Sequence, residues 1–295
     1  MNKKSLNECI NDVMNEMSSR TEKRSKLIKL GLCEHEVRML IASLGKLPTH
    51  KGGFDFSKLT FGVEIECYNV LRDMLIEAST ANGLQVRSEG YNHTDNRRYY
   101  KIVSDSSIQG ENPNEVVSPI LKGKKGLASL QAICASLATI DARVNKSCGL
   151  HVHIGASSMS EEHYCRLVRN YQKLERVIDT FMPVSRRGNN SRWCKSLQGI
   201  DFSGCTCKGQ IAEAMHCDRY YKVNAVAYER HQTIEFRQHS GTTEYEKIAN
   251  WVMFLAKLVD YSFKHEITTC ESIEEIPFLK ESEKVYFINR RSALN

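Results

Sequence analysis

Apolar and polar positions change period several times along this chain, and each period predicts an element. Between Leu59 and Tyr68 they alternate, which reads as a strand. From Leu71 to Ala81 the spacing is helical and closes at Asn82-Gly83, a helix stop. Arg87 to Arg98 is polar throughout and reads as a loop. Short strands are predicted at Tyr99–Val103, Glu115–Val117 and Leu150–Ile154. Leu127, Leu130, Ile133, Cys134, Leu137 and Ile140 recur at helical spacing. Tyr164, Leu167, Val168, Tyr171, Leu174, Val177, Ile178 and Phe181 mark a longer amphipathic helix that stops before Pro183. Lys222–Ala227 and Thr233–Gln238 read as two further strands. Ile248, Trp251, Val252, Leu255, Leu258 and Val259 mark another helix. The mixed order, without regular strand–helix–strand alternation, predicts an α+β domain whose mostly antiparallel sheet is covered by helices on one side.

The N-terminal part has a different character. Leu27 to Ile41 reads as two short helices around a Lys-Leu-Gly-Leu turn, a helical hairpin or a helix-turn-helix. Leu47-Pro-Thr-His-Lys-Gly-Gly53 is loop-like and divides a helical extension, 1–50, from a main domain, 51–295. The extension carries nine Lys+Arg against six Asp+Glu and no aromatic residue, which disfavours nucleic acid as its partner. No repeat or low-complexity tract interrupts the chain. With 295 residues, 41% hydrophobic and 26% charged, it has ordinary globular composition and can bury a core without disulfides. Eleven irregularly spaced cysteines, no apolar leader and no membrane-length apolar run predict a soluble protein of a reducing compartment, the cytoplasm. The net charge of +6 suits an acidic or phosphate-bearing ligand as readily as nucleic acid.

Three strands share one polar pattern: Glu64-Ile65-Glu66, His151-Val152-His153 and Glu235-Phe236-Arg237. Residues i and i+2 of a strand point to the same face. Val63, Ile65, Val152, Ile154, Ile234 and Phe236 would then face the helices. If the strands share a sheet, three carboxylates, two imidazoles and one guanidinium line a single groove. Half-exposed strands also alternate, but their outer face usually draws on Thr, Lys, Ser and Gln. Here it draws on metal ligands and phosphate binders, and His151 and His153 lie between Gly149 and Gly155. Glu115 adds a fourth carboxylate. Such a cluster repels itself unless cations neutralise it, and its oxygen-rich chemistry suits Mg²⁺ or Mn²⁺ better than Zn²⁺. Arg237 could bind a phosphate bridging to those metals.

Other readings stay open on residues alone. Arg186 and Arg187, in the run Ser185 to Arg192, form either a phosphate clamp or an exposed basic loop after a helix C-terminus. A His-x-His site with a Glu could serve a metal hydrolase or a cupin-like oxygenase, using His163, His216, His231 or His239 as a further ligand. Thiol catalysis by Cys148 fails on parity, because His151 and His153 would face the other side of the strand. Cys205, Cys207 and Cys217 with His216 have poor zinc spacing and read as free thiols.

Several runs together resemble the amidoligase family, whose relatives are glutamine synthetase and glutamate–cysteine ligase. They are Phe61-Gly-Val-Glu-Ile-Glu66, Asp105-Ser-Ser107, Glu115-Val-Val-Ser-Pro119, Cys148-Gly-Leu-His-Val-His-Ile-Gly155 and Thr233-Ile-Glu-Phe-Arg-Gln-His239. Gly241-Thr242, Ser185-Arg-Arg187, and Arg219-Tyr220 with Asn224 also match, over about 55–262. The resemblance implies a curved antiparallel sheet whose concave face holds ATP and two or three divalent cations. It implies ATP-dependent joining of a carboxylate to an amine, on small-molecule or peptide substrates, through an acyl phosphate. By motif, Glu64, Glu66, Glu115, His151 and Glu235 would bind metal, and His153 would lie near the nucleotide phosphates. Arg237 would contact the γ-phosphate, with Arg186 and Arg187 serving phosphate or substrate. Arg87–Arg98, outside any motif, is a candidate lid.

Overall fold

The computed structural model describes residues 9, 13, 20–32, 37, 55–90 and 98–294. Eight strands among them form one sheet: β1 (Thr60–Cys67), β2 (Val86–Ser88), β3 (Tyr100–Val103), β4 (Asn114–Val117), β5 (Leu121–Lys122), β6 (Gly149–Gly155), β7 (Val223–Asn224) and β8 (Thr233–Ser240). The order is β2-β3-β4-β1-β6-β8-β7, with β5 also paired to β1. Every pairing is antiparallel except β2 with β3. The three strands that share the polar pattern are therefore neighbours, β1-β6-β8, in the middle of the sheet.

Their alternate residues form the floor of the core. Val63, Ile65, Val152, Ile154, Ile234 and Phe236 are all buried, as the period-2 pattern requires. Four helices cover this floor: α2 (Arg72–Ala81), α3 (Gly123–Thr139), α4 (Glu161–Thr180) and α7 (Tyr245–Tyr261). The other helices whose bounds lie among the described residues are α1 (Arg20–Lys29), α5 (Lys208–Ala214), α6 (Ala227–His231) and α8 (Glu281–Leu294). Ser160 caps α4, its hydroxyl accepting from the His163 N–H at 3.1 Å, and Glu161 and Glu162 complement the helix dipole. All eight apolar positions predicted for this helix are buried. Trp251 of α7 stacks on Phe254 at 5.2 Å, and Phe181 packs edge-on against both.

One irregularity matters for the site. Leu150 pairs with His239, but Val152 pairs with Phe236, so β8 carries one extra residue there, a bulge. Gln238 and His239 consequently both lie on the helix side. Gln238 meets Tyr171 and Asp179, and the His239 ring lies 5.7 Å from that of Trp251.

Several expectations need correction. The strand predicted at Lys222–Ala227 is confined to Val223–Asn224; the chain then turns into α6, which ends at Gln232 in the left-handed region (φ 56°). The polar run 87–98 begins inside β2, whose Val86 is buried; 91–97 lie outside the described residues. Helix α8 had no signal because Phe287 is its one residue buried in the core. Of the expected N-terminal hairpin, α1 and its turn at Leu30-Gly31 are present. Val13, Leu27 and Val37 form a small apolar cluster separate from the main core. Most of 33–41 and all of the boundary run 47–53 lie outside the described residues. No helix among the described residues is long and apolar enough to cross a membrane.

Candidate active site

Register places the polar residues in rows across the face opposite the helices. Glu64 of β1 pairs with His151 of β6, and Glu66 pairs with Glu115 of β4. His153 pairs with Glu235 of β8, which in turn pairs with Asn224 of β7. Directly paired residues on one face have Cβ atoms about 5 Å apart, so this register alone brings the charged groups together.

The contacts are close. His151 Nδ1 lies 3.0 Å from Glu64 Oε2 and 3.5 Å from Glu235 Oε1. Its Nε2 is 3.4 Å from Glu66 Oε1. His153 Nδ1 meets the Thr233 hydroxyl at 2.9 Å. Its Nε2 is 3.3 Å from Glu64 Oε1 but misaligned for a hydrogen bond, leaving a buried nitrogen without a partner. Arg237 Nη1 pairs with Glu235 Oε1, and its Nε donates to the Trp193 carbonyl at 3.3 Å. Arg186 is buried and donates to the Cys148 carbonyl. A Cβ placed on Gly149 would stand 3.1 Å from His151 Nε2 and 3.4 Å from both Arg186 Nη1 and Glu66 Oε2. Glycine is thus what lets these three groups converge, while its N–H donates to Glu66 Oε2 at 2.6 Å.

Charges inside this enclosure bias one another. Burial opposes ionisation of Glu64, but the imidazoles of His153 and His151 outweigh it and hold the carboxyl well below its ordinary range. Glu235 is likewise brought down to about 2, with burial overcome by Arg237, His153 and His151. Glu115 goes the other way. Burial, then the charges of Glu64, Glu66 and Asp105, push it well above the ordinary range. His153 is raised, because Glu64 and Glu235 exceed the penalty of burial.

Three sets of ligand atoms each lie within 4.8 Å of one another: Glu64–Glu115–His151, Glu64–His153–Glu235 and Glu66–Asp105–Glu115. The residues fit divalent cations on two grounds. His153 Nε2 is buried without a hydrogen-bond partner, 3.3 Å from Glu64 Oε1, and the Glu115 carboxyl is raised by burial and by acidic neighbours whose charge a cation would offset. Oxygen dominates all three sets, as Mg²⁺ and Mn²⁺ prefer.

Of the predicted site residues, Glu64, Glu66, Glu115, His151, His153, Glu235, Arg237 and Arg186 converge here. Arg187 differs: its Nε donates to the Met182 carbonyl at 2.7 Å. Asp105 lies within a motif of the sequence that carries no role for it. It sits in a loop, so no i, i+2 partner marked it; its carboxylate also caps Ser107 N–H at 2.7 Å. Asn224, also without a role, donates Nδ2 to Glu235 Oε2 at 2.5 Å. Among the spare histidines, His239 is on the helix side of the bulge and His163 Nε2 pairs with the Val259 carbonyl at 2.7 Å. His216 is exposed, and the His231 ring lies 5.8 Å from that of His153. No set of three potential ligands among the described residues includes a cysteine.

A family model described as "putative amidoligase enzyme" matches residues 57–199 and 202–259. No curated protein matches the chain.

Proposed function

The chain belongs to the amidoligase family, and from that premise we propose that it joins a carboxylate to an amine at the expense of ATP, through an acyl phosphate. One observation carries the reading. Glu64, Glu66, Glu115, His151, His153, Glu235 and Arg237 converge on one face of the sheet, with a buried His153 Nε2 left without a hydrogen-bond partner.

A carboxylate is a poor electrophile, and phosphorylation gives it a leaving group. For that, two anions must meet: the substrate carboxylate and the γ-phosphate. Glu64, Glu66, Glu115, Asp105, His151, His153 and Glu235 would hold Mg²⁺ or Mn²⁺, which when bound would neutralise phosphate charge and polarise the transferring group. Arg237, raised above its ordinary pKa mainly by Glu235 and Glu64 against burial, keeps its charge at any working pH. It would meet the γ-phosphate through Nη2, the guanidinium nitrogen that Glu235 and Trp193 leave free. Arg186 would approach from the Gly149 side. Glu235 holds Arg237 in place and Asn224 holds Glu235, so little reorganisation accompanies charge transfer.

The amine must attack in its neutral form, and water must be kept from the acyl phosphate. The run 87–98, whose residues 91–97 lie outside the described residues, is the lid we propose; protection of it from proteolysis by ATP and substrate is the expected outcome. Substrates are small-molecule or peptide carboxylates and amines.

Calorimetry tests the reading. ATP with Mg²⁺ or Mn²⁺ should bind the native chain, and Glu64→Ala and Arg237→Ala should each weaken binding by about 10- to 100-fold. A folded protein that ignores ATP but retains a tightly held transition metal would sink the ligase reading in favour of a hydrolytic or redox site at His151 and His153.

A further inference from the structure

Behind the sheet, on the helix side, one lysine is wholly enclosed. Lys222 is 0% exposed, with Nζ 2.8 Å from Glu175 Oε1 and 2.7 Å from Asp179 Oδ1, both on α4. A buried ion pair of this kind contributes little net stability, because desolvation consumes most of the attraction. Its partners show what else it does.

Each acid serves more than the lysine. Asp179 Oδ2 accepts the Gly188 N–H at 2.8 Å, and its Oδ1 accepts Gln238 Nε2 at 2.5 Å. Gln238 Nε2 is also 3.5 Å from the Arg186 carbonyl. Glu175 accepts the Leu197 N–H at 2.7 Å and the Ser196 hydroxyl. The backbone of Lys222 continues the pattern. Its carbonyl accepts the Arg237 N–H at 2.8 Å, and its N–H donates to the Lys195 carbonyl at 2.9 Å. Two segments are thereby fastened to α4: the loop 183–197 and the bulged part of β8. Those segments carry Arg186 and Arg237, the two buried guanidinium groups of the site.

We propose that Lys222, acting through Glu175, Asp179 and Gln238, is a positioning residue that sets Arg186 and Arg237 at a fixed separation for gripping a polyphosphate. The proposal rests on the ATP reading above. Guanidinium–phosphate pairing is directional, so an arginine held from behind grips better than a mobile one. An ammonium donates to both carboxylates and offsets their negative charge, which a neutral side chain at this position cannot do.

The test uses the full chain and two near-isosteric variants, Lys222→Met and Gln238→Met. Two quantities are read: MgATP affinity by calorimetry, well below the melting temperature, and amide hydrogen exchange across 186–197. Both variants should fold and lose about 10- to 100-fold in affinity, and the amides of Gly188 and Leu197, held by Asp179 and Glu175, should exchange faster. Adding Arg237→Ala to Lys222→Met should cost less than about twofold more, because its positioning is already lost. A purely structural lysine would lower the melting temperature and leave the affinity alone. Native affinity in folded Lys222→Met, or unchanged exchange across 186–197, overturns the proposal. If Lys222→Met does not fold, the same two readings on Gln238→Met decide. If the native chain binds no MgATP, the ligase reading fails by itself, and exchange in the variants still upholds or overturns the anchoring.

Discussion

His239 and His151 lie on neighbouring strands but on opposite faces, and their surroundings give them opposite chemistry. His239 packs near Trp251, with its Nδ1 2.7 Å from the Ser240 carbonyl. Burial, then the charge of Arg290, pushes its pKa down to about 3. In an unfolded chain an imidazole takes its proton near pH 6.5. Between those values the unfolded state binds more protons, so this ring makes stability fall as the pH drops from about 6.5 toward about 3. The slope from one such group is at most about 1.4 kcal/mol per pH unit. Urea midpoints of His239→Gln should therefore decline less steeply than native ones between about pH 6.5 and 4.5; parallel curves would mean the folded ring accepts a proton. Gly149→Ala tests the polar face. The new methyl presses on the far ends of His151, Arg186 and Glu66 rather than on backbone. Stability should change by less than about 1 kcal/mol, whereas metal and ATP affinity should fall about tenfold. A variant with native affinity would show that the three groups need not meet at Gly149.

Among elements, α7 and β8 carry the clearest consequences. Trp251 of α7 is 1% exposed, and its indole N–H is buried without a partner. Trp251→Ala should cost about 3–5 kcal/mol in denaturant unfolding. Trp251→Phe keeps most of the volume and leaves no donor stranded, so it should cost less than about 1.5 kcal/mol. Near-equal losses would mean the indole nitrogen has an unseen partner. The strands β1, β6 and β8 are legible because apolar and polar residues alternate over Val63–Glu66, Leu150–Ile154 and Ile234–Arg237, and that pattern puts Glu64, Glu66, His151, His153, Glu235 and Arg237 on one face. Strand β5 is two residues long, too short for any period to register, and β7, equally short, is read as the longer run Lys222–Ala227. The bulge in β8 was also invisible, since an inserted residue looks like an ordinary polar one. That is why His239 could be counted among possible ligands. Asp105 and Asn224 reach the site through a loop and an edge strand, where pairing and not alternation decides position.

At the scale of the whole molecule, the groove stores like charge. Glu115 is held above its ordinary range by burial and by Glu64, Glu66 and Asp105. A divalent cation entering the groove should reverse that bias and expel a proton. Calorimetry of Mg²⁺ or Mn²⁺ in buffers of different ionisation enthalpy should thus show proton release, and affinity should rise with pH. Proton-neutral binding would place the cation away from Glu115. Chelation should lower the melting temperature of the metal-loaded protein, by mass action.

The central pairings join distant parts of the chain: β1 at 60–67 meets β6 at 149–155, and β6 meets β8 at 233–240. During synthesis the carboxylates of Glu64, Glu66 and Glu115 emerge first, the imidazoles next, and Arg237 last. The nascent chain can accordingly hold its acids apart, hydrated and without repulsion, until the counter-charge has been made. Closing such long loops is slow, and β8, the last of these strands to be synthesised, is the one that brings Arg237 to the groove. The order of these residues along the chain thus completes the acidic cleft only when its guanidinium has been made.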